Sequence, residues 1–224
     1  MWSALLVTVA LAGLPGPHDD DPVDRTQLRL RTASAPRCKA PLTHPAQVRD
    51  TPHLHRANPS RSWGTPWLTE LIEAAARQVR YRHPGADPLF VGDLSHKWGG
   101  PMYGHRQHRD GRDADIGLYS ADRRQPEHGF ERVWPSQLDE ETTWALLDAL
   151  LSSGRIKAIL LDQGLINRLV TWLRETETLS EAEIAEIFPR PGAPRLWERS
   201  GIVRGARNHA DHLHVQVTCT QPES

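Results

Sequence analysis

The stretch His212-Leu213-His214-Val215-Gln216-Val217-Thr218 alternates without a break. A strand turns successive side chains to opposite faces. Leu213, Val215 and Val217 therefore form an apolar face, and His212, His214, Gln216 and Thr218 form the other. At a rise of ~3.3 Å per residue, the two imidazoles stand roughly 7 Å apart along the strand. Asp113-Ala114-Asp115-Ile116-Gly117-Leu118-Tyr119 repeats the pattern, with Ala114, Ile116 and Leu118 on one side and Asp113, Asp115, Gly117 and Tyr119 on the other. Two such strands in one sheet, sharing an apolar face, bring Asp115 beside His214. His108, in the loop before the second stretch, reaches back to the same point. Two imidazoles and one carboxylate are a common donor set for a catalytic zinc with an open fourth position. Iron, manganese or cobalt also suits these donors.

Other residues are weighed against this pair. His53-Leu54-His55 is a second His-x-His, but Pro52 precedes it and no alternation follows, so it reads as loop. Asp93 is either an acceptor for a ligand imidazole or a carboxylate at the end of a strand. Arg112 and Tyr119 read as surface residues, with substrate contact as the alternative. Asp19-Asp20-Asp21 lacks the spacing of a calcium loop and reads as a solvated tail.

The 224 residues suit one domain with irregular surface or a tail. Charge is balanced at a formal −1 and no long basic run occurs, so nucleic acid and an anionic membrane are not implied. Eight Trp help to build a core. Residues 1–14 form the longest apolar run, too short to span a bilayer. It reads as a signal segment, with Ala10-Leu11-Ala12 as a small-x-small cleavage site, and implies export. Residues 15–57 lack periodicity and read as an irregular N-terminal segment, in a Pro-, Arg-, His- and Asp-rich run that extends to about Ser62. In an exported chain the two cysteines, Cys38 and Cys219, suggest one disulfide tying that segment to the final strand.

Thr65-Pro66 predicts an N-cap and first helical residue, followed by the stripe Leu68, Leu71, Ile72, Ala75, Val79 and an end near His83-Pro84-Gly85. Pro88 to Ser95 reads as a strand. Leu138 to Leu151 reads as a helix opened by Asp139, and Ile156 to Asp162 as a central strand. Gly164 to about Arg174 is helical. Ser180-Glu181-Ala182-Glu183 matches a capping box. Arg204 to Arg207 leads into the last strand. This order implies an α+β fold: a small, mainly antiparallel β-sheet with helices packed on one side.

These residues also resemble a known family. His108 to Asp115 in a His-x6-Asp spacing, followed much later by His212-x-His214, is similar to zinc peptidases of the lysostaphin, D-Ala-D-Ala metallopeptidase and hedgehog-type group. The resemblance is closer to penicillin-insensitive murein endopeptidases. It rests on Arg61-Ser62-Trp63-Gly64-Thr65-Pro66, Gly92-Asp93-Leu94-Ser95, Gly99-Gly100-Pro101 and the run Gly104 to Ile116. Residues 58–219 would be the zinc peptidase domain and 220–224 a short tail. The fold implied is hedgehog/DD-peptidase-like.

The resemblance implies a periplasmic enzyme with one zinc ion per chain. Its substrate would be the D-alanyl-diaminopimelyl cross-bridge between peptidoglycan stem peptides. His108, Asp115 and His214 match zinc ligands, and His105 matches a histidine beside the metal, as ligand or neighbour. His212 matches the catalytic histidine and His209 a further active-site histidine. With no His-Glu-x-x-His helix to supply a glutamate, His212 is the expected general acid/base, with His209 as its partner. Asp113 would orient an imidazole or bind the substrate amine, or be salt-bridged. Gln107 stands where the family commonly has Ser, and Arg106 and Arg109 make the loop more basic. The same site also suits a D,D-dipeptidase or carboxypeptidase, or a wall-binding domain that keeps zinc without turnover.

Overall fold

The computed structural model describes residues 42–122, 129–188 and 201–218. The leader-like run 1–14, Asp19-Asp20-Asp21 and the cysteine pair Cys38 and Cys219 lie outside the described residues. The elements in order are β1 (Ala46–Gln47), β2 (Leu54–Arg56), β3 (Trp63–Gly64), α1 (Pro66–Arg82), β4 (Leu89–Val91), β5 (Asp113–Gly117), α2 (Glu140–Leu151), β6 (Ile156–Leu161), α3 (Gln163–Glu175), α4 (Glu181–Ile187), β7 (Val203–Gly205) and β8 (His212–Val217). Six strands form one sheet in the order β2-β4-β5-β8-β6-β7. The three inner pairings are antiparallel, and the two edge pairings, β2 to β4 and β6 to β7, are parallel. The fold is α+β.

Local chemistry explains the helices. Thr65 takes the extended N-cap conformation, Pro66 opens α1, and His83 closes it. Asp139 caps α2 by accepting from Thr142 N at 3.0 Å. Ser180 and Glu183 complete the capping box of α4, each accepting from the other's backbone N–H. Leu68, Ile72 and Val79 of α1, Leu146 and Leu150 of α2, and Leu165 and Leu169 of α3 share one buried cluster with Ala114, Ile116, Leu213, Val215 and Ile159 of the sheet. That cluster takes the apolar face of β5 and β8 and leaves the opposite face, with its acids and histidines, free for chemistry. No described helix is long and apolar enough to cross a membrane.

Three expectations change. Leu54–Arg56 is an edge strand parallel to β4, not loop. Three residues are too few for alternation to show, and Leu54, at 1% exposure, is its only anchor in the core. Val203–Gly205 is a strand in its own right beside β6, not a lead-in to β8. The strand expected over Pro88 to Ser95 pairs regularly only at Leu89–Val91. Beyond it the chain stays extended between two neighbours: Asp115 N donates to Asp93 O and Leu94 N donates to Arg61 O.

Leu213 is fully buried between the β5 and β6 flanks of β8. Leu213→Ala should cost about 2–5 kcal/mol of stability in denaturant unfolding. A cost below about 1 kcal/mol would contradict the packing described.

Candidate metal centre

The register of β5 against β8 builds the centre. Asp115 pairs with His214, Gly117 with His212 and Asp113 with Gln216. On the face away from the core, Asp115 Oδ1 lies 2.9 Å from His214 Nδ1 and 3.2 Å from His108 Nε2. The two imidazole nitrogens are 3.2 Å apart. A four-coordinate zinc with bonds of 2.0–2.1 Å sets its ligand atoms about 3.3 Å apart. The three donors thus already stand at the edge length of such a polyhedron. His105 also groups with His108 and Asp115, their donor atoms lying within 4.8 Å of one another. Its Nδ1 is 3.9 Å from Asp115 Oδ2, farther out than the other three. The residues present suit a small divalent cation.

Each imidazole around Asp115 has one nitrogen anchored and the other turned inward. His108 Nδ1–H donates to the Leu94 carbonyl at 2.9 Å, which leaves Nε2 for the centre. His214 Nε2–H donates to Asp113 Oδ1 at 3.1 Å, which leaves Nδ1. His105 Nε2–H donates to Asp93 Oδ2 at 3.1 Å, which leaves its Nδ1. His212 Nδ1–H donates to Asp211 Oδ1 at 2.6 Å, and its Nε2 lies 3.7 Å from Asp115 Oδ1. Such acceptors fix tautomer and ring orientation before a cation arrives. Asp113 is itself held, accepting from Gln216 Nε2 at 3.0 Å and from the His108 amide at 3.3 Å. Arg61 donates to Asp93 Oδ2 at 2.9 Å.

The loop carrying His108 is bent tightly enough to strain its backbone. His108 has φ +62, a left-handed conformation that costs a non-glycine residue on the order of 1 kcal/mol or more. Two glycines hold the surrounding loop close. A Cβ on Gly99 would lie 2.3 Å from the Arg109 carbonyl oxygen, and one on Gly111 would lie 2.9 Å from Leu42. Gly100 N also donates to Arg109 O at 2.8 Å, and Thr65 N donates to Gly111 O at 2.9 Å.

The segment before β8 is pinned from two sides: Asp162 N donates to His209 O at 2.9 Å and Val133 N to Ala210 O at 2.7 Å. Phe130 stacks on His212 with centroids 4.9 Å apart and meets Phe90 edge-on at 5.3 Å. It fits there because residue 92 is glycine; a Cβ would come within 2.4 Å of the Phe130 ring. His209 donates from Nδ1 to the Arg207 carbonyl at 2.7 Å, and its ring lies 4.9 Å from that of His212. These groups wall a cavity of about 610 Å³, with Asp115, His108 and His214 among its lining.

The electrostatics follow from burial and these bonds. Burial opposes charge on Asp115, but hydrogen bonds from His108 and His214 and the field of His108 and His212 outweigh it and hold the carboxyl well below the usual range. Asp113 is lowered in the same way, with burial overcome by the hydrogen bond and charge of His214. Burial would lower His214, yet its bonds to Asp113 and Asp115 raise it to about 9. Burial lowers His209.

Of the residues singled out in the sequence, His105, His108, Asp113, Asp115, His209, His212 and His214 converge here, with Asp93 behind His105. Asp93 is thus the acceptor of an imidazole rather than an idle strand-end carboxylate. Asp113 is 4% exposed with both oxygens engaged, so it orients His214 and is not placed to bind a substrate amine. Tyr119 is 5% exposed within the core, neither a surface residue nor a substrate contact. Arg112 bridges Asp110 at 2.9 Å. His53 and His55 stand apart, His55 facing Asp50 at 3.5 Å. His212 is hydrogen-bonded to Asp211, and His209 stands beside it with ring centroids 4.9 Å apart. Sequence reasoning missed Asp211, Phe130 and the function of Arg61. Only Asp211, adjacent to His212, carried a local signal.

Residues 43–148 match the sequence model of the penicillin-insensitive murein endopeptidase family. The resemblance is shown over that stretch, which holds His105, His108, Asp113 and Asp115. No curated protein matches the chain. His209, His212 and His214 lie beyond the matched stretch, and the β5–β8 pairing joins them to it.

A cation seated on His214 Nδ1 must displace the proton that this nitrogen shares with Asp115. Because the imidazole is raised to about 9, it holds that proton near neutral pH and surrenders it on metal binding. Uptake of a divalent ion near pH 7 should therefore release protons, and apparent affinity should rise as the pH approaches 9. Calorimetry in buffers of differing ionisation enthalpy measures this. An affinity independent of both pH and buffer would contradict it.

Proposed function

We propose that this chain, carrying the murein endopeptidase pattern across residues 43–148, is a zinc endopeptidase that hydrolyses D-alanyl-diaminopimelyl cross-bridges of peptidoglycan. The observation that supports this reading best is the triangle of His108 Nε2, Asp115 Oδ1 and His214 Nδ1, 2.9–3.2 Å on each side, at the wall of a cavity that also presents His212. His108, Asp115 and His214 would hold the zinc, with His105 beside them. When bound, the ion would supply Lewis acidity, activating a water and polarising the scissile carbonyl.

The chain's own residues would move the proton. His212 keeps Nδ1–H on Asp211, so Nε2 is the nitrogen available to the reaction. It would take the proton of the attacking water and then give it to the nitrogen of the leaving amine. Asp211 would stabilise the imidazolium formed between the two transfers. Phe130, stacked on the ring, would keep water from that face and hold Nε2 toward Asp115. His209, whose pKa burial lowers, would stay neutral and offer Nε2 to the substrate. The reading places the protein outside the cytoplasm, where cross-linked wall is found.

Incubation of zinc-loaded protein with cross-linked muropeptide dimers, with products read by mass, tests the proposal. The wild type should yield monomers, and Asp115→Ala should neither retain zinc nor turn over. His212→Ala should retain zinc and lose on the order of 10²- to 10⁴-fold in kcat. Full activity in His212→Ala would overturn its assignment. Stoichiometric zinc with no dimer cleaved would point to a carboxypeptidase or a binding domain.

A further inference from the structure

The loop between His105 and His108 offers a cation to the cavity. His105 N donates to Met102 O at 3.2 Å, which closes a turn, and His108 then enters the left-handed conformation. Between them, Arg106 and Gln107 are exposed and both line the cavity. Arg106 is the one arginine or lysine among the described lining residues.

Among the described residues its charge is not consumed. Arg61 is engaged by Asp93 at 2.9 Å, and Arg112 by Asp110 at 2.9 Å. Arg106 has no hydrogen-bond or ion-pair partner among the described residues. The carboxylates lining the cavity are already claimed: Asp93 by Arg61 and His105, Asp115 by its imidazoles, and Asp211 by His212. A cation left over in a wall whose acids are neutralised favours an anionic group on whatever enters.

The proposed substrate carries one at the matching place. The nitrogen of a D-alanyl-diaminopimelyl bond is attached to a carbon that also bears a carboxyl group. Arg106 lines the same cavity as His105, His108 and Asp115, so a carboxylate next to a bond seated at that centre enters the space this arginine lines. We propose that Arg106 determines specificity by binding the carboxylate on the carbon that carries the scissile nitrogen, an assignment that rests on the endopeptidase reading above. The planar guanidinium suits two-point recognition of a carboxylate and meets an amide in its place poorly. The site would therefore distinguish wall whose diaminopimelate carboxyl is free from wall in which it is amidated.

Two synthetic cross-linked dimers, identical except that this carboxyl is free in one and amidated in the other, test the assignment on zinc-loaded enzyme. The wild type should favour the free acid at least ~10-fold in kcat/KM, mainly through KM. R106Q should bind the same amount of zinc and erase the preference, and R106K should keep part of it. R109Q, which alters an exposed arginine outside the cavity lining, should keep all of it. An undiminished preference in R106Q, or its equal loss in R109Q, overturns the assignment while leaving the endopeptidase reading intact. Cleavage of neither dimer by the wild type overturns the endopeptidase reading and this assignment with it.

Discussion

A carboxylate 3% exposed to solvent, with neither lysine nor arginine against it among the described residues, is the constraint on which the site depends. Asp115 is ringed instead by imidazole nitrogens from His108, His214, His212 and His105 at 2.9–3.9 Å. Burying an anion is costly unless positive charge and hydrogen bonds surround it. The raised imidazole of His214, bonded to both Asp113 and Asp115, meets part of this need. A divalent ion would meet it more completely, with the donors already in place. The second acceptors, Leu94 O, Asp113, Asp93 and Asp211, matter because they settle which nitrogen each ring turns inward.

That arrangement is inherited from the sheet. Asp115 and His214 are 99 residues apart in sequence and are set opposite each other by one antiparallel pairing. Slipping that register by one residue would move His214 into the core and Leu213 to the cavity. The apolar face is therefore as much a part of the site as the histidines, because Leu213, Val215 and Ile116 fix the register that the chemistry uses. The strained backbone at His108 belongs to the same economy, since Gly99 and Gly111 brace the loop around it.

Much of this is legible in the sequence. Strict alternation over Asp113–Tyr119 and His212–Thr218 placed Asp115 and His214 on one face, and the observed register pairs them directly. Thr65-Pro66, Asp139 and Ser180-x-x-Glu183 marked helix starts because capping is a local matter of a few residues. What stayed hidden depends on contacts between distant segments. Leu54–Arg56 and Val203–Gly205 are too short to show a period and exist as strands only through β4 and β6. Phe130 reaches His212 through space left by Gly92, which no spacing rule reveals. Arg61 looked like part of a motif, and only folding shows it holding the carboxylate behind His105. Tyr119 continued the polar-face alternation past the end of β5, where the pattern no longer has force.

The central claim is that one strand register creates a three-donor cation site from His108, Asp115 and His214. Anomalous diffraction at the zinc edge from crystals of the zinc-loaded protein tests it most directly. The account predicts a single strong peak bonded to His108 Nε2, an Asp115 carboxylate oxygen and His214 Nδ1. A peak held by His105, His108 and Asp115 without His214, or located away from β5 and β8, would contradict it.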